Sequence, residues 1–109
     1  MTDANRRINV ASEFVRADES MRAASLLVEA GLLHDAESRL YCAIYHAAIA
    51  VLLTEGVEPR SHAGTVSLLG LHSDYGRDFP LTPDALREDL EACEGFLDRA
   101  RGVVAKALG

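Results

Sequence analysis

The chain has 109 residues, of which 49% are hydrophobic and 26% are charged, and its formal net charge is -6. This length suits one domain with a single core, and the hydrophobic content excludes an intrinsically disordered chain. The negative charge excludes a general electrostatic attraction to nucleic acids or anionic membranes, so nucleic-acid binding would need a local group of arginines. Alanine, leucine, glutamate and arginine predominate, which predicts an all-α domain.

The first predicted element is a helix that begins at Thr2 or Asp3 and ends at Ala30. Gly31 predicts its end, because glycine tolerates the left-handed conformation found after many helices. The segment Asp18–Ser20 leaves open a break within this helix. The apolar residues recur at spacings of three and four, which is typical of one buried helix face; they are Val10, Phe14, Ala17, Met21, Ala24, Leu27 and Val28.

The second predicted helix extends from about Leu33 to Glu55 and is followed by Gly56. From Leu40 to Leu53 it is apolar on nearly every side, which predicts a central helix that the other segments surround. His46 is the one strongly polar interruption in that stretch. Arg39 precedes His46 by seven residues, close to two helical turns, so the two side chains are expected on one helix face.

A short helix and a final long helix are predicted in the second half of the chain. Ser61 is expected to cap the short helix, His62–Leu69, which a turn-rich connection follows. Thr82 and Pro83 are typical of a helix start, and the final helix is expected to continue to Leu108.

The two cysteines, Cys42 and Cys93, fall within apolar helical patterns. They are predicted to be small buried thiols in a reducing compartment and not to form a disulfide. The N-terminal residues lack the apolar core of a secretory signal, and the apolar run from Leu40 to Leu53 is too short to span a bilayer. These features predict a cytoplasmic protein that does not enter a membrane.

Arg39 and His46 are candidates for a site that binds or cleaves a phosphodiester. A guanidinium offers a planar fork of donors, and an imidazole exchanges a proton near neutral pH. In the alternative interpretation, Arg39 pairs with Asp35 one turn back and His46 is a core histidine with a hydrogen-bond partner. The spacing alone favours this structural alternative.

Two further pairs have both a functional and a structural interpretation. Tyr41 and Tyr45 could stack against nucleotide bases, but aromatic pairs at this spacing usually belong to a core. Ser61 and His62 could contact a phosphate at a helix N-terminus, but a simple capping turn is preferred.

No metal site or cofactor is predicted. The four histidines, His34, His46, His62 and His72, lack the tight spacing of ligands on one helix face, and the cysteines lack a C-x-x-C arrangement. Phosphate loops rich in glycine and nucleophile elbows are absent from the sequence as well.

The stretch Ala36–Ala47 (AESRLYCAIYHA) resembles the helix of the HEPN family in which an arginine precedes a tyrosine, an alanine and an aromatic–histidine pair. Two weaker similarities are Ser61–Gly64 (SHAG) and Asp74–Gly76 (DYG), the latter ahead of a final helix with an inward-facing Phe96. Together the similarities cover roughly Leu26–Val104. The segment before Ser73 is shorter, by most of a helix, than in similar proteins.

The resemblance implies a HEPN-type antiparallel helical bundle formed by residues 1–109 as one domain. In active members, an arginine followed after four to six residues by a histidine forms a ribonuclease site that needs no metal, and Arg39 and His46 have the longest such spacing. By resemblance, His46 would exchange protons with the ribose 2′-hydroxyl or the leaving oxygen, and Arg39 would stabilise the phosphorane. A polar residue often follows the arginine in active members, where this chain has Leu40.

The family resemblance also suggests partners. The first hypothesis is the toxin of a toxin–antitoxin pair, which cleaves or binds RNA at the cleft of a homodimer and is restrained by a nucleotidyltransferase-type antitoxin. The second hypothesis is a catalytically silent adaptor domain that binds a nucleotidyltransferase-like partner. A bundle that binds a small molecule is a third class, which no residue supports.

Overall fold

A computed structural model describes residues 2–56 and 81–109, which form three α-helices. Helix α1 comprises Asp3–Glu29, helix α2 Leu33–Thr54 and helix α3 Pro83–Leu108. The all-α prediction is confirmed, and the three helices begin and end within one residue of the predicted positions. The short helix predicted after Ser61, the connection that follows it and the Asp74–Gly76 motif lie outside the described residues.

Local capping explains where the helices begin and end. The hydroxyl oxygen of Thr2 accepts a hydrogen bond from the backbone N–H of Asn5, and that of Thr82 accepts one from Ala85, both at 3.1 Å. Each bond satisfies an N–H group that has no partner within the helix. Gly31 follows α1 with a φ of +78°, the left-handed conformation predicted for it. Helix α1 continues through Asp18–Ser20 without a break.

Alanines line the main interface between the helices. Small side chains allow two helix backbones to approach closely, while larger side chains fill the space beside them. The larger buried residues include Leu40 on α2 and Leu86 and Leu97 on α3. The alanines of this core with no exposed surface are Ala17, Ala24, Ala36, Ala43 and Ala47.

A second cluster of buried residues defines the directions of the helices. Val10 near the start of α1 packs with Ala50 and Leu53 near the end of α2 and with Val104 near the end of α3. Helices α2 and α3 therefore both run antiparallel to α1. At the same end of the bundle, the guanidinium of Arg7 donates a hydrogen bond to the backbone carbonyl of Leu108.

Helix α2 is the central helix, because it packs extensively against both α1 and α3, whereas α1 and α3 meet over a smaller area. The sequence predicted that the other segments surround this helix. The described residues cover its apolar surface only in part. Tyr41, Cys42, Tyr45 and His46 are half-buried, and Arg39 is exposed. Among the described residues, α1 and α3 therefore leave one side of α2 partly exposed along the stretch that carries the candidate residues.

Helices α1 and α3 are joined by a contact at the surface. The guanidinium of Arg101 forms an ion pair with Asp18 and lies over the ring of Phe14, 5.0 Å from its centroid. A cation over an aromatic face is attracted by the electrons of the ring.

Within the described parts of the chain, no helix is long and apolar enough to cross a membrane.

We expect Leu86→Ala to lower the free energy of unfolding by about 2–5 kcal/mol, because its side chain is fully buried and its removal leaves a cavity. Leu26→Ala is the matched control, since Leu26 is 66% exposed and should change that free energy by less than about 0.5 kcal/mol. Urea denaturation of the two variants measures the difference. Equal destabilisation would contradict this assignment of the core.

Candidate active site

The side chain of His46 on α2 contacts Glu13 on α1. The distance between His46 Nδ1 and Glu13 Oε2 is 2.6 Å, and the two side chains are 21% and 17% exposed. An ionised carboxylate can only accept, so this contact is a hydrogen bond when Nδ1 carries the hydrogen. Nε2 is then the ring atom left to take up or release a proton.

Glu13 reaches His46 because of its place on α1. It lies three residues after Val10 and four before Ala17, both buried, so it shares the helix face that packs against α2. The sequence interpretation did not include Glu13 in any site. The signal available was a lone carboxylate among the apolar positions of one helix face, where a charged side chain usually has a partner.

Arg39 occupies an exposed position on α2, and its Nη2 donates a hydrogen bond to Cys42 Sγ at 3.4 Å. Cys42 lies three residues after Arg39 and four before His46. The guanidinium therefore extends along the helix toward His46. In the described parts of the chain, no carboxylate lies within ion-pair distance of Arg39, so the alternative pairing with Asp35 is not formed.

The two cysteines differ in their surroundings. Cys93 is buried, as predicted, whereas Cys42 is half-buried and lies between Arg39 and His46. Burial raises the pKa of the Cys93 thiol to about 11, and the carboxylates of Asp89 and Glu94 contribute to the increase. A thiol reacts as its thiolate, so burial and the raised pKa both protect Cys93.

The tyrosines predicted to contact a substrate are both half-buried on α2. The Tyr45 ring meets the His46 ring edge-on, with the centroids 5.4 Å apart and the planes at 77°. Such edge-to-face contacts are favourable and help to fix the orientation of a ring. Ser61 and His62 lie outside the described residues.

The candidate site combines an exposed guanidinium, Arg39, with a shielded carboxylate, Glu13. Glu13 contributes a negative charge beside His46, and the pair is neutral overall when the imidazole is protonated. Binding of a phosphate would therefore depend on the exposed guanidinium, which can offer two parallel donors.

In residues 2–56 and 81–109, no three histidine, cysteine, aspartate or glutamate side chains form a group that could hold a metal ion.

A HEPN domain model matches residues 10–103, which is most of the chain and includes α2 and most of α1 and α3. The protein therefore belongs to the HEPN domain family, as its sequence motifs and helical fold suggested. The match includes Glu13, Arg39 and His46.

Three relatives share part of the sequence. The chain is 46% identical over 55 residues to UPF0332 protein PH1297 of Pyrococcus horikoshii, 45% over 56 residues to "Putative toxin MJ0605" of Methanocaldococcus jannaschii, and 40% over 57 residues to UPF0332 protein glr0978 of Gloeobacter violaceus. These alignments include 50%, 51% and 52% of this chain. They cover 39%, 42% and 45% of the relatives, so the chain spans less than half of their length.

We expect Cys42 to react with a maleimide or iodoacetamide in the native protein, while Cys93 reacts only after unfolding. With a pKa of about 11, only about one Cys93 thiol in a thousand is ionised at about pH 8, and the side chain is buried. Mass spectrometry of digested samples, alkylated with and without denaturant, measures the two reactions. Rapid native labelling of Cys93 would contradict the packing of α3.

Proposed function

We propose that this protein is a toxin-type endoribonuclease that cleaves RNA without a metal ion, with Arg39 and His46 as its catalytic residues. One observation carries the proposal: a half-buried histidine, held through Nδ1 by a carboxylate, shares a helix with an exposed arginine whose guanidinium extends toward it. Membership of the HEPN family supports it. So does the Methanocaldococcus relative, whose name includes the word toxin.

The chemistry that suits these groups is an internal transesterification. Nε2 of His46 takes the proton of a ribose 2′-hydroxyl, and the 2′-oxygen forms a bond with phosphorus as the bond to the 5′-oxygen breaks. The leaving 5′-oxygen receives a proton from an acid, either water or the imidazolium of His46 of the partner subunit. The products are a 2′,3′-cyclic phosphate and a free 5′-hydroxyl, and no atom of the reaction requires a metal.

Arg39 would act on the charge that develops during this step. The phosphorane has more negative charge on its non-bridging oxygens than the starting diester. A guanidinium that is already in place, with no carboxylate of the described residues within ion-pair distance, stabilises that charge more than it stabilises the substrate. The exposed position of Arg39 is compatible with this role, because the RNA backbone must approach from solvent.

We also propose that the protein acts as a homodimer in which two α2 helices face one cleft. Ile8 and Val15 are 65% and 57% exposed and lie seven residues apart on α1, which places them on the same helix face. Apolar side chains grouped on one face are often covered in an assembly. A dimer would also supply a second imidazole as one of the two possible acids for the leaving oxygen.

The adaptor hypothesis is the second candidate, and one observation favours it. Both polar side chains of the proposed site already have partners within the chain, since His46 contacts Glu13 and Arg39 contacts Cys42. The pairs could thus serve the stability of the bundle while another surface binds a nucleotidyltransferase-like antitoxin. In that case Arg39→Ala and His46→Ala would leave binding of the partner unchanged.

We expect the purified protein to cleave single-stranded RNA in the presence of a chelator, and His46→Ala to lower the rate by about 100-fold or more, because proton transfer contributes about that much. Arg39→Ala should also lower the rate strongly. The products should carry a 2′,3′-cyclic phosphate, which mass spectrometry of the RNA fragments identifies.

Two variants serve as matched controls for this assay. His34→Ala removes an exposed histidine from the start of α2, and Arg87→Ala removes an exposed arginine from α3. Both should cleave at the rate of the wild type, and circular dichroism should show equal helix content in all variants. Equal trace cleavage by the wild type and His46→Ala would disprove the ribonuclease proposal.

The dimer makes a separate prediction. Sedimentation equilibrium should give twice the mass of the chain at micromolar concentration, and the cleavage rate per chain should fall when the protein is diluted below the dissociation constant of the dimer. A monomeric mass together with a constant rate per chain would show that a single copy suffices.

A further inference from the structure

We infer that Glu13 is a positioning residue for His46, which holds Nδ1 in its protonated form and leaves Nε2 free for the proton transfer. The inference rests on the proposed ribonuclease function and adds a residue from a second helix to its site. An isolated neutral imidazole distributes its hydrogen between both ring nitrogens, so only one part of the population has the lone pair on Nε2. The contact with Glu13 favours this tautomer, in which Nδ1 carries the hydrogen.

The geometry of the contact supports a strong preference for the tautomer of His46 that carries its hydrogen on Nδ1. The 2.6 Å distance between Nδ1 and Oε2 is slightly shorter than the range of about 2.7–2.9 Å that is usual for charge-assisted hydrogen bonds from a nitrogen donor to a carboxylate. Both side chains are largely shielded, at 21% and 17% exposure, so water competes poorly for either group. The opposite tautomer would direct the lone pair of Nδ1 at a carboxylate oxygen and lose the hydrogen bond.

Glu13 would also act during the reaction itself. When Nε2 accepts a proton, the imidazole becomes an imidazolium, and the adjacent carboxylate stabilises the new positive charge. Glu13 and His46 lie on two helices packed through the buried core, so their relative position is fixed before any substrate binds. The contact thus orients the ring, selects its tautomer and stabilises its charged form.

To distinguish a positioning role of Glu13 from a purely structural one, a control variant must remove a comparable contact between helices. The chain provides one in Asp18, also on α1, which pairs with Arg101 on α3. Asp18→Asn removes a carboxylate link of α1 without touching His46. Glu13→Gln keeps an oxygen that can accept from Nδ1 but loses the charge, and Glu13→Leu loses both while filling the space.

The first arm of the test reads the imidazole directly by nitrogen-15 NMR of histidine-labelled protein at about pH 8, where an ordinary histidine is neutral. His46 is assigned by the loss of its signals in His46→Gln. We expect protonated Nδ1 and unprotonated Nε2 in the wild type and in Asp18→Asn, and a mixture in Glu13→Leu. An unchanged tautomer in Glu13→Leu would overturn the inference.

The second arm measures RNA cleavage by the same proteins. We expect kcat to fall by about tenfold in Glu13→Gln and by about 100-fold in Glu13→Leu, with KM changed by less than about threefold, because the substrate does not touch Glu13. Asp18→Asn should keep the kcat of the wild type. A Glu13→Leu variant with full kcat, or an equal loss in Asp18→Asn, would contradict a positioning role.

The two arms separate this inference from the function on which it rests. If the wild type cleaves no RNA but shows the expected tautomer and its dependence on Glu13, the ribonuclease proposal fails and the hold of Glu13 on His46 stands. If the wild type cleaves RNA and Glu13→Leu cleaves equally well, the ribonuclease proposal stands and the inference fails.

Discussion

The close packing of α1 against α2 is the constraint on which the rest of the structure depends. Alanines such as Ala17, Ala24, Ala43 and Ala47 leave little space between the two backbones, so long polar side chains fit only at the margins of the interface. Glu13 and His46 meet under this restriction, each too shielded to be solvated well alone. Their contact joins two shielded polar groups across the interface, and under the proposed mechanism it leaves Nε2 of the imidazole to transfer the proton.

The distribution of charge bears on the proposal that this acidic protein acts on RNA. The net charge of -6 offers no long-range attraction, and the carboxylate of Glu13 makes the immediate surroundings of His46 more negative still. Arg39 is an exposed cation on the same helix as His46, and no carboxylate of the described residues forms an ion pair with it. An enzyme of this kind would bind RNA weakly except where the phosphate meets the guanidinium.

The helices could be predicted because the signals that define their ends are local. Thr82 followed by Pro83, and Gly31 after an apolar periodic stretch, act within a few residues, so the sequence contains the information needed. The placing of Arg39 and His46 on one helix face likewise follows from spacing alone. These predictions did not need knowledge of any neighbouring helix.

The features that the sequence did not disclose depend on tertiary contacts. Glu13 and His46 are 33 residues apart, and only the register of α1 against α2 brings them together. The partial exposure of Cys42 was missed because a helix that is apolar all round does not indicate which side its neighbours leave uncovered. One interpretation of the sequence paired Arg39 with Asp35, but an exposed ion pair one turn apart contributes only about 0.2–0.5 kcal/mol, so a competing contact readily replaces it.

The turn at Gly31 fixes where α1 ends and α2 begins, and this limits the changes of length that the two helices can accept. Glu13 and His46 lie at similar distances along the chain on either side of that turn. In two antiparallel helices, such residues lie at the same level and can meet. Inserting or deleting one residue in either helix between the turn and the pair would rotate one side chain by about 100° about its helix axis. A change of length in this segment would therefore break the contact between Glu13 and His46 unless a second change restored the alignment.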